Sequence, residues 1–94
     1  MFKARIIKSE GCFKCKNYLK SLNKQGYDFI IYDADLKENQ PQLDLWKINA
    51  MPVVQIVKIK EDNNIEMVFQ FPPGSLSTRL IETKITELKK KNEK

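Results

Sequence analysis

Between Phe2 and Asp33 the spacing of apolar residues changes from every second position to a 3.6-residue period and back again. Residues 2–8 alternate in polarity and are rich in Ile, which predicts a strand. From Cys15 the apolar positions Cys15, Tyr18, Leu19 and Leu22 fall at i, i+3, i+4 and i+7, one face of a helix that starts near Cys12. Gly26 stands where such a helix stops, and residues 27–33 form a second strand. A strand–helix–strand unit of this length meets the minimum for a right-handed crossover, so the two strands are expected to be parallel.

The remaining chain completes a sheet. Residues 35–40 are a polar connection. Pro41 suits the first turn of a short helix that carries Leu43 and Trp46, and residues 49–52 break it. Residues 53–59 and 65–71 are strand-like, and the turn cluster at 61–64 joins them as an antiparallel hairpin. Residues 71–74 end the sheet. Ser75 or Ser77 can cap a last helix with the stripe Leu76, Leu80, Ile81, Ile85 and Leu88. Lys89, Lys90 and Lys91 suit its negative C-terminal end. The order is β-α-β-α-β-β-α, an α/β domain over residues 1–94 with a four-stranded mixed sheet and helices on both faces. Residues 92–94 are expected to fray.

The net charge of +5 raises the question of nucleic acid. Of 17 basic residues, however, only Arg5 and Arg79 are Arg, and 12 acidic residues are interspersed along the chain. Arg is the residue suited to bidentate phosphate contacts. The pattern therefore reads as a solvated Lys-rich surface. No apolar run approaches the roughly 20 residues a membrane span needs, and the charged start lacks the apolar stretch of a signal peptide. A cytoplasmic monomer with neither nucleic acid nor membrane as partner is expected.

Two Cys and no His occur in 94 residues. A disulfide between Cys12 and Cys15 closes almost no loop, so the pair is a poor staple. A closed zinc site needs four ligands, which only a dimer bridged through both pairs supplies. Chemistry fits the placement better. Free amides at a helix start stabilise an anion and lower a thiol's pKa, and Lys14 and Lys16 add positive charge. Cys12 is thus the better thiolate. Cys15 lies on the apolar stripe and is the sheltered thiol. An exposed attacking thiolate and a buried resolving thiol are what disulfide exchange requires. Phe13 has no evident structural role between them and suggests a substrate-contact surface. Trp46 reads as a core anchor.

The chain resembles the thioredoxin superfamily over nearly its whole length. The first half, from Ile6-Ile7-Lys8-Ser9-Glu10-Gly11-Cys12-Phe13-Lys14-Cys15 through Gly26-Tyr27 to Asp33 and Asp35, is similar to glutaredoxins. The second half, Trp46-Lys47-Ile48-Asn49-Ala50-Met51-Pro52-Val53-Val54, resembles thioredoxin's helix end, cis-proline loop and third strand. The resemblance implies a thioredoxin-like fold and a protein-disulfide oxidoreductase active in electron transport. In it Cys12 is the nucleophile, Cys15 the resolving thiol and Pro52 the cis-proline, with Phe13, Lys14 and Met51 beside the substrate. It implies disulfide-containing protein substrates, no tightly bound cofactor, and a thioredoxin-reductase-like enzyme or glutathione as reductant. Lys8 is placed to hold a glutathione carboxylate or to be solvated, and the start of the last helix offers free amides but no carboxylate. A redox-inactive binding or assembly module is the alternative within the same fold.

Overall fold

A computed structural model describes residues 1–92. The elements follow in the order β1 (Phe2–Lys8), α1 (Phe13–Lys24), β2 (Phe29–Asp33), a 3-10 turn (Lys37–Asn39), α2 (Gln40–Leu45), β3 (Val53–Ile59), β4 (Ile65–Gln70) and α3 (Thr78–Asn92). Among the described residues α3 runs to Asn92; of the stretch expected to fray, residues 93 and 94 lie outside the described residues.

The strand order is β2-β1-β3-β4. β1 pairs parallel to β2, as the crossover requires, and antiparallel to β3, which pairs antiparallel to β4. The sheet is mixed and has helices on both faces. On one face Ala4, Ile6, Val54 and Ile56 pack against Tyr18 and Leu22 of α1 and Ile81 and Ile85 of α3. Full burial of an Ile such as Ile6, Ile56 or Ile81 contributes about 1.5–3 kcal/mol each. The opposite face is smaller: Ile7, Ala34, Leu43 and Val53 are buried there, with Tyr32, Trp46, Ile48 and Met51 packed around them.

Three sequence expectations change in detail. Tyr27 and Asp28 precede β2 instead of belonging to it, because the end of α1 takes the Tyr27 amide. Gln25 is the last capping residue, Gly26 adopts φ +66°, Gly26 N–H donates to Asn23 O at 3.0 Å, and Tyr27 N–H donates to Leu22 O at 3.0 Å. This is the paired closure that a glycine in the left-handed region permits. In the last helix Leu80 is exposed and Leu76 lies before the first turn. With Ile81 and Ile85 facing the sheet, Leu80 is turned about 100° away from them. Ser77, not Ser75, meets the helix start, its Oγ accepting from Leu80 N–H at 3.3 Å. Phe71 lies just beyond β4 and stacks edge-on against Phe69.

Candidate active site at the start of the first helix

The turn after β1 delivers Cys12 to the head of α1. Cys12 N–H donates to Ser9 O at 3.1 Å, closing the turn. The Cys12 backbone is extended (φ −91°, ψ 103°), as an N-cap requires, and its carbonyl accepts the first helical hydrogen bond from Lys16 N–H at 3.2 Å. Its sulfur takes the part of a capping oxygen: Cys15 N–H points at Cys12 Sγ across 3.1 Å. No acidic residue stands in the first turn of α1, so the positive end of the helix is unopposed there.

Cys12 and Cys15 are joined as a disulfide with Cα atoms 5.2 Å apart. The two sulfurs differ in access. Cys15 is 1% exposed and belongs to the buried stripe with Tyr18 and Leu22, whereas Cys12 is only partly covered. Phe13 is 75% exposed, a large apolar ring standing in solvent next to the cysteine pair. Lys14 is also exposed.

A loop from the other half of the chain closes over the pair. Met51 O lies 3.7 Å from Cys12 Sγ. The Met51–Pro52 peptide bond is cis, and Pro52 is fully buried. The Pro52 carbonyl accepts from Gly74 N–H at 2.9 Å, which ties this loop to the Pro72-Pro73-Gly74 segment; Gly74 has φ +149°, a region that suits glycine. The structure thus brings Cys12, Cys15, Phe13, Lys14 and Met51-Pro52 to one end of the sheet.

Sequence reasoning missed the anchor of the cysteine turn. Asp35 follows β2, and its carboxylate accepts from Ser9 Oγ at 3.0 Å and from Glu10 N–H at 2.7 Å. These bonds hold the Asp35 carboxyl below its ordinary pKa, the Glu10 amide contributing most. The parallel pairing was the available signal: Lys8 registers with Asp33, so the turns leaving β1 and β2 emerge side by side. Lys8 is half-buried beside two carboxylates. Its Nζ lies 3.6 Å from Glu10 and 3.7 Å from Asp33. Among the described residues no group of three or more His, Cys, Asp or Glu is placed to hold a metal, and no helix is long and apolar enough to cross a membrane.

Solved structures share this architecture. A thioredoxin from Thermus thermophilus matches 93% of this chain and 72% of its own length, with a TM-score of 0.65 at 16% identity. A thioredoxin from Plasmodium falciparum matches 92% of this chain and 70% of its own, with a TM-score of 0.57 at 17% identity. No protein-family model matches the chain, and no curated protein matches it in sequence. The fold is thioredoxin-like, and it carries a Cys-x-x-Cys pair at the head of its first helix.

Proposed function

We propose that the chain is a thiol–disulfide oxidoreductase that reduces disulfides in protein substrates by dithiol exchange. The observation that carries this reading is the unequal pair at the head of α1: a partly exposed Cys12 sulfur facing an amide donor, bonded to a Cys15 sulfur buried beneath it.

In the reduced protein, the Cys12 thiolate attacks one sulfur of a substrate disulfide. A mixed disulfide forms and the other substrate sulfur leaves as a thiolate that takes up a proton. Cys15 then loses its proton and attacks Cys12 Sγ. The Cys12–Cys15 bond forms, the mixed disulfide breaks, and the second substrate thiol departs. Two electrons have moved from the protein to the substrate. A thioredoxin-reductase-like enzyme or glutathione returns them, in the cytoplasm and with no tightly bound cofactor. Exposed Phe13 and Lys14 and the Met51-Pro52 loop form the contact surface for the substrate chain, which runs beside Met51 in a strand-like manner.

Insulin reduction with dithiothreitol as the electron source tests the reading. The wild type is expected to accelerate precipitation of the insulin B chain and Cys12→Ser to lose that acceleration entirely; Cys15→Ser, reduced first and then freed of dithiothreitol, is expected to accumulate covalent mixed disulfides with insulin. If the wild type adds nothing to the rate with dithiothreitol alone, the oxidoreductase reading fails. If Cys15→Ser releases substrate normally without glutathione, the division of roles fails.

A further inference from the structure

Arg5 lies at the centre of β1 and is 8% exposed, yet among the described residues it has no acidic partner. The only hydrogen bond its guanidinium makes among the described residues is from Nε to Gln55 Oε1, at 2.9 Å. Gln55 is itself committed, its Nε2 donating to Gln70 Oε1 at 2.8 Å, and Gln70 Nε2 donates to Trp46 O at 3.2 Å. The guanidinium sits 5.1 Å from the Tyr32 ring centroid and 4.9 Å from that of Trp46. Those rings offset part of the charge. The terminal nitrogens of Arg5 make no hydrogen bond among the described residues, yet they are not sealed from solvent, so they stay reachable by a ligand. Burial lowers the Arg5 pKa, with Tyr32 opposing in part. Starting from above 12, a guanidinium remains a cation near neutral pH.

The unpaired side of this cation borders a cavity. Arg5, Tyr32, Gln42, Trp46, Ile65 and Met67 line a cleft of about 300 Å³ on the α2 face of the sheet. None of them takes part in the Cys12–Cys15 site, and none is acidic. Ligand sites begin at about this volume, with apolar walls and a few convergent polar groups. Here the walls are Trp46, Tyr32, Ile65 and Met67, the charged group is Arg5, and Gln42 adds an amide.

We propose that this cleft binds a small organic monocarboxylate, its carboxylate paired with the terminal nitrogens of Arg5 and its apolar body against Trp46, Ile65 and Met67. The charge count selects the ligand class. One cation without a Lys in the lining matches a single negative charge, and a guanidinium fork matches the two oxygens of a carboxylate. The Trp46 and Tyr32 rings beside the guanidinium give an organic body a flat face to lie against, which a bare inorganic anion does not use. The site stands apart from the redox reading and does not depend on it.

Trp46 is the chain's only tryptophan, so its fluorescence reports this cleft directly. The probes are 4-methylpentanoate, its neutral amide 4-methylpentanamide, and inorganic phosphate, each titrated into the oxidised full-length chain at constant ionic strength. The expected result is a saturable change with the carboxylate and a Kd at least about tenfold weaker for the amide, because a charge-assisted bond is lost. Phosphate is expected to produce no saturable change. Arg5→Met, if its circular dichroism shows a native fold, should abolish the carboxylate response. Equal responses to carboxylate and amide, no saturation with the carboxylate, a matching phosphate response, or an unchanged response in folded Arg5→Met would each overturn the proposal. The wild-type comparison decides the matter even where Arg5→Met does not fold.

Discussion

The Cys15 amide donates toward the Cys12 sulfur across 3.1 Å, so the residue proposed to resolve the mixed disulfide also helps stabilise the proposed nucleophile. A backbone donor and the positive end of a helix both favour a thiolate over a thiol. The rate of iodoacetamide alkylation of the reduced protein should therefore rise with a pH midpoint below the free-cysteine value of about 8.5. Lys14→Glu should move that midpoint upward by a modest amount, since Lys14 is exposed and its field is screened. A midpoint at or above the free value would exclude this electrostatic role.

Asp35 makes the turn before Cys12 sensitive to acid. Its pKa is depressed by hydrogen bonds that exist only when the chain is folded, with Glu10 N–H the main cause. A carboxyl depressed in the folded state stabilises above its unfolded pKa, about 3.9, and that contribution is lost as pH falls through the folded value. Asp35→Asn should thus melt below wild type at neutral pH, with the gap narrowing as pH drops below about 4. Melting curves of both proteins across acid pH supply the check; a gap that does not depend on pH would show that the charge is irrelevant.

At the alkaline end two tyrosines act in the opposite sense. Tyr18 donates to Leu76 O at 2.6 Å, and burial pushes its pKa up to about 12. Tyr27 donates to Glu82 and is pushed up by burial and by that carboxylate. Groups with raised folded pKa values give their full stabilisation below the unfolded value, about 10 for tyrosine, and lose it as pH climbs through the folded values. Stability should decline from about pH 10 upward, and tyrosinate absorbance should appear together with unfolding. Tyr18→Phe should remove about 1 kcal/mol near neutral pH by leaving the Leu76 carbonyl without its donor. Denaturant titration of that variant measures the loss.

Lys47 ends α2 in the conformation that Gly26 adopts after α1. It has φ 58°, with Lys47 N–H donating to Asp44 O at 3.0 Å and Ile48 N–H to Leu43 O at 3.1 Å. A side chain with a Cβ is disfavoured there. Lys47→Gly should stabilise the fold by about 0.5–1 kcal/mol, a Tm rise of about 2–8 °C for a domain of this size. The variant should keep wild-type insulin reduction, since Lys47 lies outside the cysteine site. A lower Tm would mean that the Lys47 side chain contributes more than its backbone strain removes.

Local patterns in the sequence sufficed for the β1–α1–β2 unit, the hairpin of β3 and β4, and the unequal placement of Cys12 and Cys15. Each of these rests on periodicity or on a turn residue within a few positions. What escaped depends on partners far along the chain. The alternation of β1 leaves open whether Arg5 meets water or a second protein layer; it is buried because Gln55, fifty positions on, and the Tyr32 and Trp46 rings cover that face. Asp35 reads as one more polar loop residue until the parallel register places it beside Ser9. Leu80 and Ile81 are indistinguishable by composition, and only the docking of α3 on the sheet decides which one is buried.

The sheet order also has a consequence during synthesis. β1 is an inner strand whose second neighbour is β3, with Phe2 opposite Lys58 and Ile7 opposite Val53. A ribosome adding 5–20 residues per second emits β1, α1 and β2 a few seconds before β3. Through that interval the nascent crossover unit has an Ile-rich edge with no ladder partner, open to any other extended chain nearby. The arrival of residues 53–59 converts that edge into the middle of the sheet. The open ladder then lies on β3 until residues 65–70 pair with it, so growth of the polypeptide past β4 is the step at which both inner strands have partners on both sides.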